Sequence, residues 1–164
     1  MLPTTELRLR LKELDAAHYA ETDAIKTLLF AKLATLELGG WTEECIDKIV
    51  NDFLDSRNPR GKAKVQEDLK RVYGFQYRKE FRSLMVGLVG IIGFEQIEGK
   101  LNLQCQQLES ALSRLKQVRD ICAHTYTKPT MQIDGPTIMI DLLSKIESAL
   151  AEFNNELQRI KLQP

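Results

Sequence analysis

Apolar residues recur every three or four positions along most of this chain, and that period gathers them on one side only if the backbone is helical. The clearest case is Leu101, Cys105, Leu108, Leu112, Leu115, Arg119 and Cys122, an unbroken alternation of four- and three-residue steps. Six of these seven suit a core. The seventh, Arg119, sets a permanent charge on the seam, where it is costly unless a partner or a ligand uses it.

The same period places the other elements. A first helix is predicted from an N-cap at Thr4 or Thr5, carrying Leu7, Leu11, Leu14, His18, Ile25, Leu28 and Leu29 and ending at Gly39-Gly40. Thr42 is predicted to cap the next, with Ile46, Ile49, Val50, Phe53 and Leu54 inward and a stop near Asn58-Pro59. A short helix from Lys62 to about Tyr73, a break at Gly74 and a helix from Tyr77 into an apolar run follow. Gly87, Gly90 and Gly93 in that run either permit close helix packing or mark a looser connection. The seam-bearing helix is predicted over residues 94 to 125. Asp134-Gly135-Pro136 then turns into a last helix with Ile138, Leu142, Ile146, Leu150, Phe153, Leu157 and Ile160. No segment alternates with a period of two between hairpin turns, so the expected class is all-α, an antiparallel bundle of four to five main helices.

A chain of 164 residues with 43% hydrophobic content and five prolines fits one domain, residues 1–164, with a real core. Twenty-three basic and twenty-three acidic residues cancel, which argues against a protein that coats nucleic acid through bulk charge. The charge is unevenly spread: residues 57 to 82 carry nine Lys/Arg against Glu67, Asp68 and Glu80. Such a stretch is either a solvated helical face or a surface for a nucleic acid or protein partner. The first residues show no secretory pattern, and an odd set of three cysteines without short paired spacing suits a reducing cytoplasm. The longest apolar run, residues 84 to 94, is too short to span a bilayer.

The candidate site closes the seam: Arg119, Asp120, Ile121, Cys122, Ala123, His124, Thr125, Tyr126. On an ideal helix Arg119 and His124 stand about 140° apart, so they converge only where the helix ends between them or across a groove. Tyr126 returns toward the seam only if the helix continues. Arg119 with a polar neighbour, three further residues and His124 resembles the motif of the HEPN superfamily, all-helical domains that carry it near a helix end. Residues 41 to 50, and Asn58-Pro59 followed by a basic helix, are similar to HEPN domains of the RiboL-PSP type. That resemblance implies a metal-independent endoribonuclease, or a descendant of one, of the kind found in toxin-antitoxin and antiphage systems. It also implies a homodimer whose motifs face each other across a cleft, with RNA as substrate, no cofactor and no membrane partner.

The chemistry points the same way. Attack of a ribose 2′-OH on phosphorus needs a base, an acid and donors for the developing charge. Two copies of His124 supply the first two, since imidazole ordinarily titrates near neutrality. Arg119 offers a fork of donors for the phosphate. Asp120 stands where related motifs commonly have asparagine; it is placed to orient His124 or Arg119, yet a carboxylate repels phosphate. Arg114, Lys116 and Lys128 are candidate contacts to the RNA backbone. Tyr126 completes an Arg-x4-His-x-Tyr pattern, similar to HEPN toxins whose tyrosine receives AMP from a nucleotidyltransferase antitoxin, which would add bulk and negative charge where RNA binds.

Structural roles stand beside each of these. Arg119 is equally an ion-pair partner for Asp120, Glu109 or another subunit, His124 a C-terminal helix cap, and Tyr126 a packed aromatic. His18, spaced among leucines, is expected in a core or interface. Cys122 and His124 lack the further ligands of a zinc site. The alternative function is a non-catalytic helical dimerisation or interaction module.

Overall fold

The computed structural model describes residues 2–55 and 74–161, and among them every regular element is helical. The helices are α1 (Thr5–Ala20), α2 (Ala24–Leu54), α3 (Arg82–Lys100), α4 (Asn102–His124) and α5 (Pro136–Lys161), with a π-helical turn at Tyr77–Phe81 before α3. The all-α class is therefore the observed one. No helix of the described residues is long and apolar enough to cross a membrane.

The first predicted helix is two helices. Its apolar positions pass from His18 to Ile25 in seven residues, so the period runs unbroken across a turn that the backbone nevertheless makes. Glu21 is extended, and its carboxylate accepts from the backbone N–H groups of Thr22 and Asp23 at 2.9 and 3.0 Å. Asp23 then caps α2 through Ile25 and Lys26 N–H at 2.8 and 3.1 Å. Two acidic side chains thus satisfy the orphan donors, and the chain reverses.

Gly39-Gly40 does not end a helix: α2 continues through both to Leu54. Thr42 is correspondingly no cap; it is buried within α2 and donates to the Leu38 carbonyl at 2.8 Å. Packing holds the helix through the glycines. A Cβ on Gly39 would stand 3.4 Å from Cδ of Arg119, an ordinary contact distance, so the stem of Arg119 on α4 lies directly over this glycine. The expected stop at Asn58-Pro59 and the basic helix from Lys62 to Tyr73 lie outside the described residues.

Gly74 takes φ +126° and leads the buried Phe75 into the π turn. In α3, Gly90 has φ 75° and ψ 165°, a backbone that interrupts the helix, while Gly87 has open space around it. The spaced glycines therefore mark a kink and not a close helix crossing. The single helix expected over residues 94 to 125 is also two, parted at Leu101 with φ −104° and ψ 31°. Pro136 opens α5 as predicted. Along α5, Ile138 is exposed, and Met139 and Leu143 fill the core beside Leu142 and Ile146.

Contacts fix the directions. Arg8 meets Glu147 at 2.7 Å and Asp15 meets Thr137 at 2.7 Å, so α1 and α5 run antiparallel. Lys32 reaches Thr125, and Glu43 reaches Arg119, so α2 and α4 do the same. The C-terminal ends of α1 and α4 and the N-terminal ends of α2 and α5 consequently share one end of a four-helix bundle. Toward the C-terminal part of α5, Phe153 packs against Phe81 and Phe94 at centroid distances of 5.1 and 6.3 Å, seating the π turn and α3 there.

Candidate functional site at the end of helix α4

Every apolar seam position of α4 is buried, and Arg119 emerges at its edge against α2. Its Nη2 lies 3.1 Å from Oε1 of Glu43, its guanidinium carbon 5.5 Å from the Phe75 ring centroid, and its stem against Gly39. Side chains of Arg119 and Glu43 keep 31% and 33% of their surface exposed. The charge on the seam is thus compensated by Glu43 and keeps about a third of its side-chain surface in water, which lowers its cost. Its ion-pair partner is neither of the candidates Asp120 and Glu109. Glu109 is held by Arg78, and Asp120 by Lys116 one turn back at 2.6 Å.

Asp120 therefore orients neither His124 nor Arg119. Lys116 one turn back takes the carboxylate, although His124 stands at the same spacing one turn on, and Arg119 points sideways into α2. His124 is the last residue of α4, exposed, and without a hydrogen-bond partner among the described residues. The cation that reaches past the helix end is Lys32 of α2, whose Nζ donates to the Thr125 carbonyl at 3.1 Å. Thr125 is extended, with φ −123° and ψ 129°, so Tyr126 does not return to the seam. It stands 76% exposed, with Lys128 Nζ 5.0 Å from its ring centre.

Two of the three proposed RNA contacts are engaged within the chain. Arg114 grips Asp134 through Nε and Nη2, both at 2.6 Å, which fastens the loop after α4 to the helix. Lys116 holds Asp120, and Lys128 stays exposed. A groove of about 450 Å³ between α4 and that loop is lined by Arg114, Gln117, Val118, Ile121 and Asp134, and holds none of Arg119, Asp120 and His124. In one protomer, then, the three motif side chains diverge: Arg119 toward α2, Asp120 toward Lys116, His124 into solvent.

Cys122 faces inward beside Thr35, and burial pushes its thiol up. It cannot share a metal with the outward His124, and no cluster of three ligands occurs among the described residues. His18 is half-buried at the same bundle end, edge-on to Tyr19 at 5.4 Å, with its Nδ1 enclosed and without a hydrogen-bond partner among the described residues. Sequence spacing gave no sign of Glu43, Lys32 or Phe75; all three reach the site from far along the chain. No family model, curated protein or solved structure matches this chain.

Proposed function

We propose that this chain is a metal-independent endoribonuclease of HEPN type, acting as a homodimer. The observation that carries the reading is the combination at the end of α4: an exposed His124 with no hydrogen-bond partner among the described residues, and an Arg119 guanidinium held in place by Glu43 and Phe75 with a third of its side chain open. Arg119 has five donors and Glu43 engages Nη2 alone, so donors remain for a phosphate without dismantling the pair.

In the reaction, one His124 takes the proton of a ribose 2′-OH, and the 2′ oxygen forms a bond to phosphorus. The bond to the 5′ oxygen breaks, and the second His124 gives that oxygen its proton, leaving a 2′,3′-cyclic phosphate. Arg119 carries the charge that develops on the phosphoryl oxygens. Asp120, neutralised by Lys116, repels the phosphate less than a free carboxylate would. The three cysteines are free thiols, in keeping with work in a reducing cytoplasm. In a toxin-antitoxin or antiphage setting, the outward Tyr126 is open to AMP transfer by a nucleotidyltransferase partner.

The engagement of Arg119 by Glu43 and of Asp120 by Lys116 favours a second reading, a helical interaction module whose motif is structural. Incubation of a mixed RNA pool in EDTA separates the two. Cleavage that leaves 2′,3′-cyclic phosphate ends and vanishes in His124→Ala, at equal folding and oligomeric state, supports the nuclease. No cleavage by either protein, with Tyr126 unmodified by mass, leaves the module.

A further inference from the structure

Helix α2 exposes Ile25, Leu29, Leu33 and Leu36 to 37%, 47%, 46% and 39% of their surface. At about 100° per residue these four fall within an arc of roughly 80°, a continuous apolar stripe about 16 Å long. It borders the Arg119–Glu43 side of the helix, away from the packed face of Ala31, Leu38 and Cys45. A stripe of this kind exposes about 300 Å² of apolar surface, comparable to the largest patch on a typical monomer, which is often functional.

We propose that a second copy of this chain packs antiparallel on this stripe, about a two-fold axis near residue 31. The occupant follows from self-complementarity. Antiparallel pairing sets Ile25 against the partner's Leu36 and Leu29 against the partner's Leu33. Lys26 and Glu37 lie within about 20° of each other on one flank, roughly 75° from the stripe's centre. In a two-fold antiparallel pair each flank meets its own copy. Lys26 therefore faces the partner's Glu37, and Glu37 the partner's Lys26. Glu37 already accepts from Arg10 at 2.9 Å and has a second oxygen for Lys26.

The other flank carries the consequence for the site. Lys32 sits beside the axis and holds the Thr125 carbonyl, so the end of α4 in each subunit lies on the same side of the dyad. The single His124 of one protomer then gains the second imidazole that the proposed chemistry needs. This functional part rests on the ribonuclease reading; the pairing does not.

Sedimentation velocity across micromolar concentrations tests it on the full chain, with helicity followed by circular dichroism. The wild type is expected to dimerise. Leu33→Glu, with unchanged helicity, should raise the dimer dissociation constant by at least about a hundredfold. Lys26→Glu should weaken pairing by about tenfold, and Lys26→Glu with Glu37→Lys should restore it. A monomeric wild type, a dimer that survives Leu33→Glu, or a double variant no better than Lys26→Glu overturns the proposal. RNA cleavage is read in parallel. A stripe-dependent dimer that cuts no RNA upholds the pairing and removes the nuclease reading; a monomeric Leu33→Glu protein that still cuts overturns the joining of the two sites.

Discussion

The Arg119–Glu43 pair gives the sharpest energetic test, because it joins α2 to α4 where the only charge on the seam emerges. Three contributions add at Arg119. The ion pair, with each side chain about one-third exposed, is screened and contributes about 1 kcal/mol. The guanidinium over Phe75 adds about 0.5–1 kcal/mol. The stem methylenes against Gly39 add about 1 kcal/mol. Arg119→Ala should therefore cost about 3 kcal/mol, Arg119→Met, which keeps the stem, about 2, and Glu43→Ala about 1. Urea unfolding followed by circular dichroism and by Trp41 fluorescence, on α2 itself, gives each value, and the double variant gives the coupling. That coupling should be about 1 kcal/mol. A coupling indistinguishable from zero, or an Arg119→Ala cost no greater than that of Glu43→Ala, would refute the view that Glu43 and Phe75 hold the guanidinium in place.

Gly90→Ala should destabilise by about 1–3 kcal/mol, since only glycine tolerates its backbone, whereas Gly87→Ala in the same helix should stabilise by about 0.5–1; matching effects in thermal melts would remove the kink. Cys45, Cys105 and Cys122 are buried, and burial pushes each thiol up, so a disulfide reagent at neutral pH should label none until the protein unfolds. Rapid native labelling of Cys122, read by mass, would contradict its inward placement. Burial, reinforced by Cys105 and Glu98, drives the Tyr77 ionisation well above the ordinary phenol range. The native state keeps this proton after the unfolded chain has lost it, so stability should hold below pH of about 10 and decline above it. Tyr77→Phe should flatten that decline at a cost of about 1 kcal/mol for the lost bond to Glu98; an unchanged alkaline slope would assign it elsewhere.

Period and local chemistry made the class legible. Cys105 to Cys122 in steps of three and four, all but Arg119 apolar, proved to be one face of α4, and Asp134-Gly135-Pro136 did open α5, because a proline at the first helical position and an alternation of threes and fours act within a few residues. Boundaries were harder wherever the apolar phase survived a turn. The reversal at Glu21 and Asp23 preserves a seven-residue step, and at Leu101 the seam runs on past the break. Gly39-Gly40 misled in the opposite direction, since burial of the flanking Leu38, Trp41 and Thr42 carries α2 through glycines that local rules assign to a helix end. The motif was likewise legible as residue types in a spacing, and its geometry was not.

By itself, then, the sequence determined that this chain is helical, where the core face of α4 lies, and that an arginine interrupts that face. Only the tertiary structure decided what that arginine meets, that Asp120 belongs to Lys116, that His124 and Tyr126 turn to solvent, and that α2 leaves a leucine stripe uncovered. Helical period depends on neighbours three and four residues away, which the sequence contains. Charge compensation and exposure depend on Glu43, Lys32 and Phe75, which the fold brings from distant segments, and no local pattern encodes those distances.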